Sequence, residues 1–211
     1  ADGKEIFYGE LDSYPVSTSR VRYLKYLDNK WQGPFNLFEG FVAPKLADND
    51  SILYLQDQHF YTYYSKRVNS GWSSPVRLIT GNQHTHYFQK TSLNNSYASS
   101  YFEGSANDGN ICKVIVTNND TTFQNLGLPL NSSDHENDFV IAADESFILF
   151  SRNVMYGAGD IYLSFKTANG RWTNPKKLGS PINKPGNYWE YGEFVSSDNK
   201  YLFYTSGGTS M

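Results

Sequence analysis

The 211-residue sequence holds a single cysteine, Cys112, so no disulfide can form within the chain and zinc sites built on Cys-x-x-Cys pairs are excluded. Its surroundings, "NICKVIV", read as a strand with a small residue in it. No apolar run reaches the roughly 18 residues that a membrane-spanning helix needs. A secretory leader is missing too, an absence of little weight because the sequence reads as starting partway through a structural unit. The net charge is −3; phosphate binding needs a basic face or stripe, so nucleic acid is not an expected partner. Helical periodicity is absent. So are a G-x-S-x-G elbow, H-E-x-x-H, a Walker sequence and a G-x-G-x-x-G opening a helix.

What is present is aromatic and repetitive. Phe, Trp and Tyr make up 17% of the residues, with 17 Tyr, which suits pleated, half-buried strands. One turn-and-strand phrase recurs: "ADGKEIFYGE" at the start, "ADNDSILYLQ" from 47, "LNNSYASSYF" from 93, "ADESFILFSR" from 143 and "SSDNKYLFYT" from 196. Aligned on Asp2, Asp48, Asn94, Asp144 and Asp198, the copies are 46, 46, 50 and 54 residues apart. That interval fits one four-stranded propeller blade.

A second marker keeps phase with the first: "NKWQGPFNL" with Trp31, "SGWSSPVRL" with Trp72, "TTFQNLGLP" with Phe123 and "GRWTNPKKL" with Trp172. In the fourth copy strand A is read as "NDFVIA", strand B as "FILFS" and strand C as "DIYLSFK", with strand D after Trp172. The "ANG" between C and D is a hairpin signal in which both central residues take positive φ. The stripes that include Tyr61, Tyr63, Tyr201 and Phe203 read as packing between blades. The expected fold is all-β, a propeller of five blades of four antiparallel strands with incomplete first and last blades. Residues 1–211 then form a single domain, with blades at about 1–38, 39–81, 82–131, 132–184 and 185–211.

The segments "GDIYLSFKTANGRWTNPKKLGSPIN" and "EYGEFVSSDNKYLFYTS" resemble the PD40 repeat, the WD40-like β-propeller repeat of TolB-like proteins. The resemblance extends over essentially the whole chain, with the third repeat degenerate. It implies a propeller, a bacterial source and a periplasmic or extracellular location. It does not imply an activity, because propellers host many. In a bacterium the sequons at Asn94, Asn119 and Asn131 are incidental.

Propeller ligands bind where the blades' inner strands converge on the channel mouth. Eight residues before each turn Asp lie Gly40, His86, Glu136 and Glu190, flanked by Thr85, His135 and Trp189 on one side and Tyr87 and Tyr191 on the other. His84, Asp138 and Tyr188 complete the candidate binding set.

Three readings of this set are open. Glu136 and Glu190 can cap the loops between blades by accepting backbone N–H bonds. Alternatively His86, Glu136 and Glu190 can hold a divalent metal, Ca²⁺ or Mn²⁺, although no cofactor is otherwise expected. Or the carboxylates and histidines act as general acid and base on a sugar. The expected function is a TolB-like binding module for a protein, peptide or glycan, the aromatics Tyr188, Trp189 and Tyr191 offering a sugar-stacking surface. The alternative is a carbohydrate-active enzyme, a glycoside hydrolase or polysaccharide lyase.

Overall fold

The computed structural model describes residues 3–12, 18–47, 50–69, 71–79, 84–101, 109–117, 120–153, 158–186 and 188–208. Asp2, Asp48 and Asn119 lie outside the described residues. Every regular element among those described is a strand. The chain divides into two compact units, Ala1–Phe88 and Gln89–Met211.

In the first unit β1 (Glu5–Leu11), β2 (Ser19–Leu27) and β3 (Lys30–Glu39) form an antiparallel meander. These are strands B, C and D of the first copy. The next copy supplies β4 (Phe41–Leu46), β5 (Ile52–Asp57) and β6 (Thr62–Val68) as strands A, B and C. Its strand D is split into β7 (Gly71–Trp72) and β8 (Val76–Arg77), both paired to β6. The split has a side-chain cause. Ser65 Oγ donates to Ser73 O at 2.6 Å, and Ser73 Oγ accepts from Lys66 N at 3.0 Å, so hydroxyls replace part of the ladder.

Strand alternation buries Val21, Leu53 and Leu55, with Phe7, Phe41, Tyr63 and Trp72 packed against them. Trp72, the marker residue, meets the edge of Phe7 at 5.7 Å and carries the Arg67 guanidinium 4.4 Å above its ring. Each such buried side chain contributes about 1.5–3 kcal/mol.

The division between the units falls within β9 (His84–Lys90). Beyond it β10 (Ser96–Tyr101), β11 (Ile111–Val116) and β12 (Thr121–Asn125) continue the third copy. Cys112 is a fully buried residue of β11, its thiol pushed up by desolvation. The fourth copy is β13 (His135–Ile141), β14 (Phe147–Asn153), β15 (Gly159–Phe165) and the short β16 (Lys176–Lys177). The hairpin β17 (Tyr188–Val195) and β18 (Leu202–Gly208) belongs to the fifth copy. A single parallel bridge, Gly159 to Trp189, joins it to β15.

Two residues of loop do the work of strands. Asn131 Oδ1 accepts from Ile111 N at 3.0 Å while its Nδ2 donates to Ile111 O at 2.9 Å; Asn183 does the same to Ile161 at 2.8 and 2.9 Å. The marker leucines add to it, Leu126 N–H bonding Ile111 O and Leu178 N–H bonding Ile161 O. The Asn131 amide is therefore committed inside the fold. It offers no glycan attachment.

The hairpin between β15 and β16 departs from the expected geometry, since only Gly170 takes positive φ there (80°) and Asn169 does not. Asp28 and Asn29, at 51° and 59°, form the two-residue turn of that kind in the first copy. Tyr201 and Phe203 also differ from the packing expectation. They are 63% and 50% exposed, the Phe203 ring lying 6.0 Å from that of Phe194 across the hairpin, tilted by 46°.

Candidate functional site

A backbone rhythm places the candidate residues. Ala43, Tyr87, Asp138 and Gly192 have φ of 48°, 51°, 34° and 68°, and seven residues after each comes the left-handed residue of the A–B turn: Asp50, Asn94, Glu145 and Asn199. In β4, β13 and β17 the first of these coincides with a bulge. The bulge re-aims everything upstream of it.

Aligned on this rhythm, the position of Glu136 and Glu190 is held by Thr85 in the third copy and Phe41 in the second, instead of His86 and Gly40. The blade contacts agree. Thr85 N–H donates to Phe60 O at 2.7 Å as Glu136 N–H donates to Gly109 O at 2.6 Å. Taking Asp48 and Asn94 as equivalent to Asp144 and Asp198 shifts the register by one, because the left-handed residue directly follows the Asp in the fourth and fifth copies, whereas it is Asn94 itself in the third and Asp50, two residues on, in the second.

The corrected register gives three layers. In the first, His84, His135 and Trp189 share one position. His84 stacks on Tyr61 at 4.7 Å, and its Nδ1 lies 2.6 Å from His59 O; a carbonyl only accepts, so Nδ1 carries the proton. His135 lies over Gly109, where a Cβ would fall 2.6 Å from its Nδ1, and Trp189 lies over Gly159, where a Cβ would fall 2.6 Å from its Cδ1. Each ring thus lies against a residue at or just before the start of the preceding strand C.

The second layer is fully buried: Thr85, Glu136 and Glu190. Both Glu136 oxygens accept from Ser132 N at 3.1 Å, and Oε1 also takes Ser132 Oγ at 2.6 Å and Arg152 Nε at 2.8 Å. Arg152 reaches on to Leu130 O at 2.8 Å. Glu136 is thereby a clamp on the loop entering β13. Burial outweighs these donors and raises its carboxyl above the usual range. Glu190 Oε1 accepts from Ser206 Oγ at 2.9 Å and its carbonyl from Ser151 Oγ at 2.9 Å.

In the third layer, His86 packs against Phe60 at 4.3 Å and Tyr87 at 5.9 Å. Desolvation pushes its imidazole down to about 4, so it is neutral at pH 7. Tyr191 holds the equivalent place in the last hairpin, 5.6 Å from Trp189, with its hydroxyl raised by burial and then by the charge of Asp138. Tyr188 is 38% exposed and has the Lys184 ammonium 5.3 Å above its ring. Among the described residues no three His, Cys, Asp or Glu side chains gather as a metal cluster.

Within the first unit the structure brings together His84, His86 and Tyr87 along β9. Within the second it brings together His135, Glu136 and Asp138 on β13 with Tyr188, Trp189, Glu190 and Tyr191 on β17. Sequence reading missed Asn153, Gly109 and Gly159, which floor this second group. Gly159 was legible only as the first residue of the "GDIY" phrase.

No family profile matches the chain, and no curated protein does. Solved structures do. TolB from Acinetobacter baumannii superposes with a TM-score of 0.53 at 13% identity, over 98% of this chain and 52% of that one. The chain has the β-propeller fold. A candidate 6-phosphogluconolactonase from Bacteroides uniformis gives 0.53 at 10% identity, over 97% and 61%. The chain thus spans about half to three-fifths of the length of these structures. No helix among the described residues is long and apolar enough to cross a membrane.

Proposed function

We propose that this chain is a recognition propeller built of PD40-type repeats, whose ligand contacts the rings at the starts of the A strands. It would be a protein, peptide or glycan binder working in the periplasm or outside the cell, as the TolB-like resemblance implies. The observation carrying this reading is the first layer: His135 and Trp189 occupy one structural position, each ring held on a glycine, and Trp189 is still 36% exposed. Seating an aromatic ring on bare backbone fixes its orientation without covering its outer face, which suits contact more than core packing.

Against the hydrolase or lyase reading stands Glu136. A general acid or base must reach its substrate, and this carboxylate is fully buried and spent on Ser132 and Arg152. The test is a binding screen of the full chain against peptide and glycan libraries, repeated with a His135→Ala/Trp189→Ala double variant. Loss of captured ligands in the variant, with an unchanged circular dichroism spectrum, is the expected result; retention of all of them would remove the reading.

A further inference from the structure

We infer that the site in the second unit takes a neutral saccharide, with the Trp189 indole as its stacking plate. This rests on the recognition reading above and names its ligand class. The register of four neighbouring strands puts His135 opposite Asn153, Asn153 opposite Gly159, and Gly159 beside Trp189. One lateral row thus runs from an imidazole through a carboxamide to an indole. At about 4.8 Å per strand spacing it is roughly 14 Å long, the reach of a short oligosaccharide.

The row's chemistry alternates in the way a sugar's does. A pyranose presents axial C–H groups on its faces and hydroxyls at its rim. The former suit an aromatic plate and the latter suit planar groups that donate and accept. Trp189 supplies the plate, and Tyr191 stands 5.6 Å from it at an interplanar angle of 56°, making a corner, with Tyr188 next in the chain. Asn137 and His135 supply the planar polar groups, and the buried Asn153 holds Asn137 in place by accepting from its Nδ2 on Oδ1 at 3.3 Å.

The missing side chain at Gly159 is part of the device. A Cβ there would come within 2.6 and 2.7 Å of the indole Cδ1 and Nε1 and 3.2 Å of Asn153 Cβ. Only glycine lets the indole lie flat in the row. An anionic ligand is disfavoured, since the carboxylate of Asp138 acts on Tyr191 and the chain is net negative. The cleft of about 420 Å³ lined by Lys90, Asn94, Asn95 and Lys113 opens at the A–B turn, the far end of strand A.

The experiment is titration of the full chain with neutral oligosaccharides, read by tryptophan fluorescence and calorimetry, alongside a phage-displayed peptide panel. Wild type should bind at least one neutral oligosaccharide. Trp189→Ala should weaken it about tenfold or more and Trp189→Phe less. Gly159→Ala should weaken it comparably while leaving the far-UV spectrum unchanged, because it displaces the plate without removing it. Saccharide binding that survives both Trp189→Ala and Gly159→Ala overturns the site. Peptide binding that depends on Trp189, with no saccharide binding, overturns the ligand class and leaves the recognition reading standing. Absence of any ligand that depends on the row overturns both.

Discussion

At the scale of single residues, two titrating side chains set how this fold responds to acid. Glu145, in the A–B turn between β13 and β14, accepts from Thr91 Oγ1 at 2.9 Å, Asn95 Nδ2 at 2.7 Å and Lys166 Nζ at 2.5 Å. These donors overcome burial and hold its carboxyl at about 2, down from 4.5. A depressed carboxylate stabilises fully above its unfolded value, so this contribution disappears as pH falls from 4.5 through about 2. His86 is depressed from 6.5 to about 4 by desolvation. The unfolded chain therefore takes up its proton first, and stability falls as pH drops from 6.5 through about 4. Urea midpoints measured from pH 7 to pH 3 should decline in both ranges. Glu145→Gln should flatten the lower one, and His86→Phe the upper one.

The left-handed residues make a second prediction at this scale. An L-residue at φ near 50° costs about 1–2 kcal/mol, which glycine avoids. Gly192 already occupies one of the four equivalent positions, whereas Ala43 sits at φ 48° in another. Ala43→Gly should raise stability by about 0.5–1 kcal/mol in equilibrium unfolding. Gly192→Ala should lower it by a similar amount.

At the scale of the element, Asn131 and Asn183 each extend the ladder beyond β12 and β16 by bonding both backbone groups of one Ile in strand C. Their loss leaves the Ile N–H without its partner, at about 1–3 kcal/mol for an unsatisfied buried group, while the Ile carbonyl keeps the N–H of the marker leucine. Asn183→Ala should lower the unfolding free energy by about 1–3 kcal/mol. Asn183→Asp keeps the acceptor but loses the donor, so hydrogen exchange should show the ladder at Ile161 weakened while the amide of Ile161 stays protected. Legibility from sequence also divides at this scale. The strand pattern of "FILFS" and "DIYLSFK" was visible because side-chain alternation and turn residues are local signals. The split of β7 from β8 was not, since it depends on the Ser65 hydroxyl meeting the Ser73 carbonyl across a hairpin.

At the scale of the whole molecule, the net charge of −3 and the absence of a basic stripe shape the binding expected of the row from His135 to Trp189. A ligand held by stacking and neutral hydrogen bonds releases few counterions. Its affinity should change less than about twofold when ionic strength rises severalfold, in contrast with the steep salt dependence of phosphate recognition. Calorimetric titrations at low and high sodium chloride check this.

The sequence by itself determined the repeat, the all-β class and the order of strands, because a hydrophobic period of two and recurrent Asp-containing turns act over a few residues. It named every member of the second unit's aromatic corner without showing how those residues are used. Tertiary structure decided the rest. It assigned Glu136 to a clamp with Arg152, moved His86 out of the glutamate position through the left-handed residue at Tyr87, and laid His135 and Trp189 over Gly109 and Gly159. Those outcomes depend on contacts between residues about 15 to 30 positions apart and on one-residue bulges that shift register without changing composition. The physical reason is that alternation fixes which face a side chain takes, while only the pairing of strands fixes what it meets there.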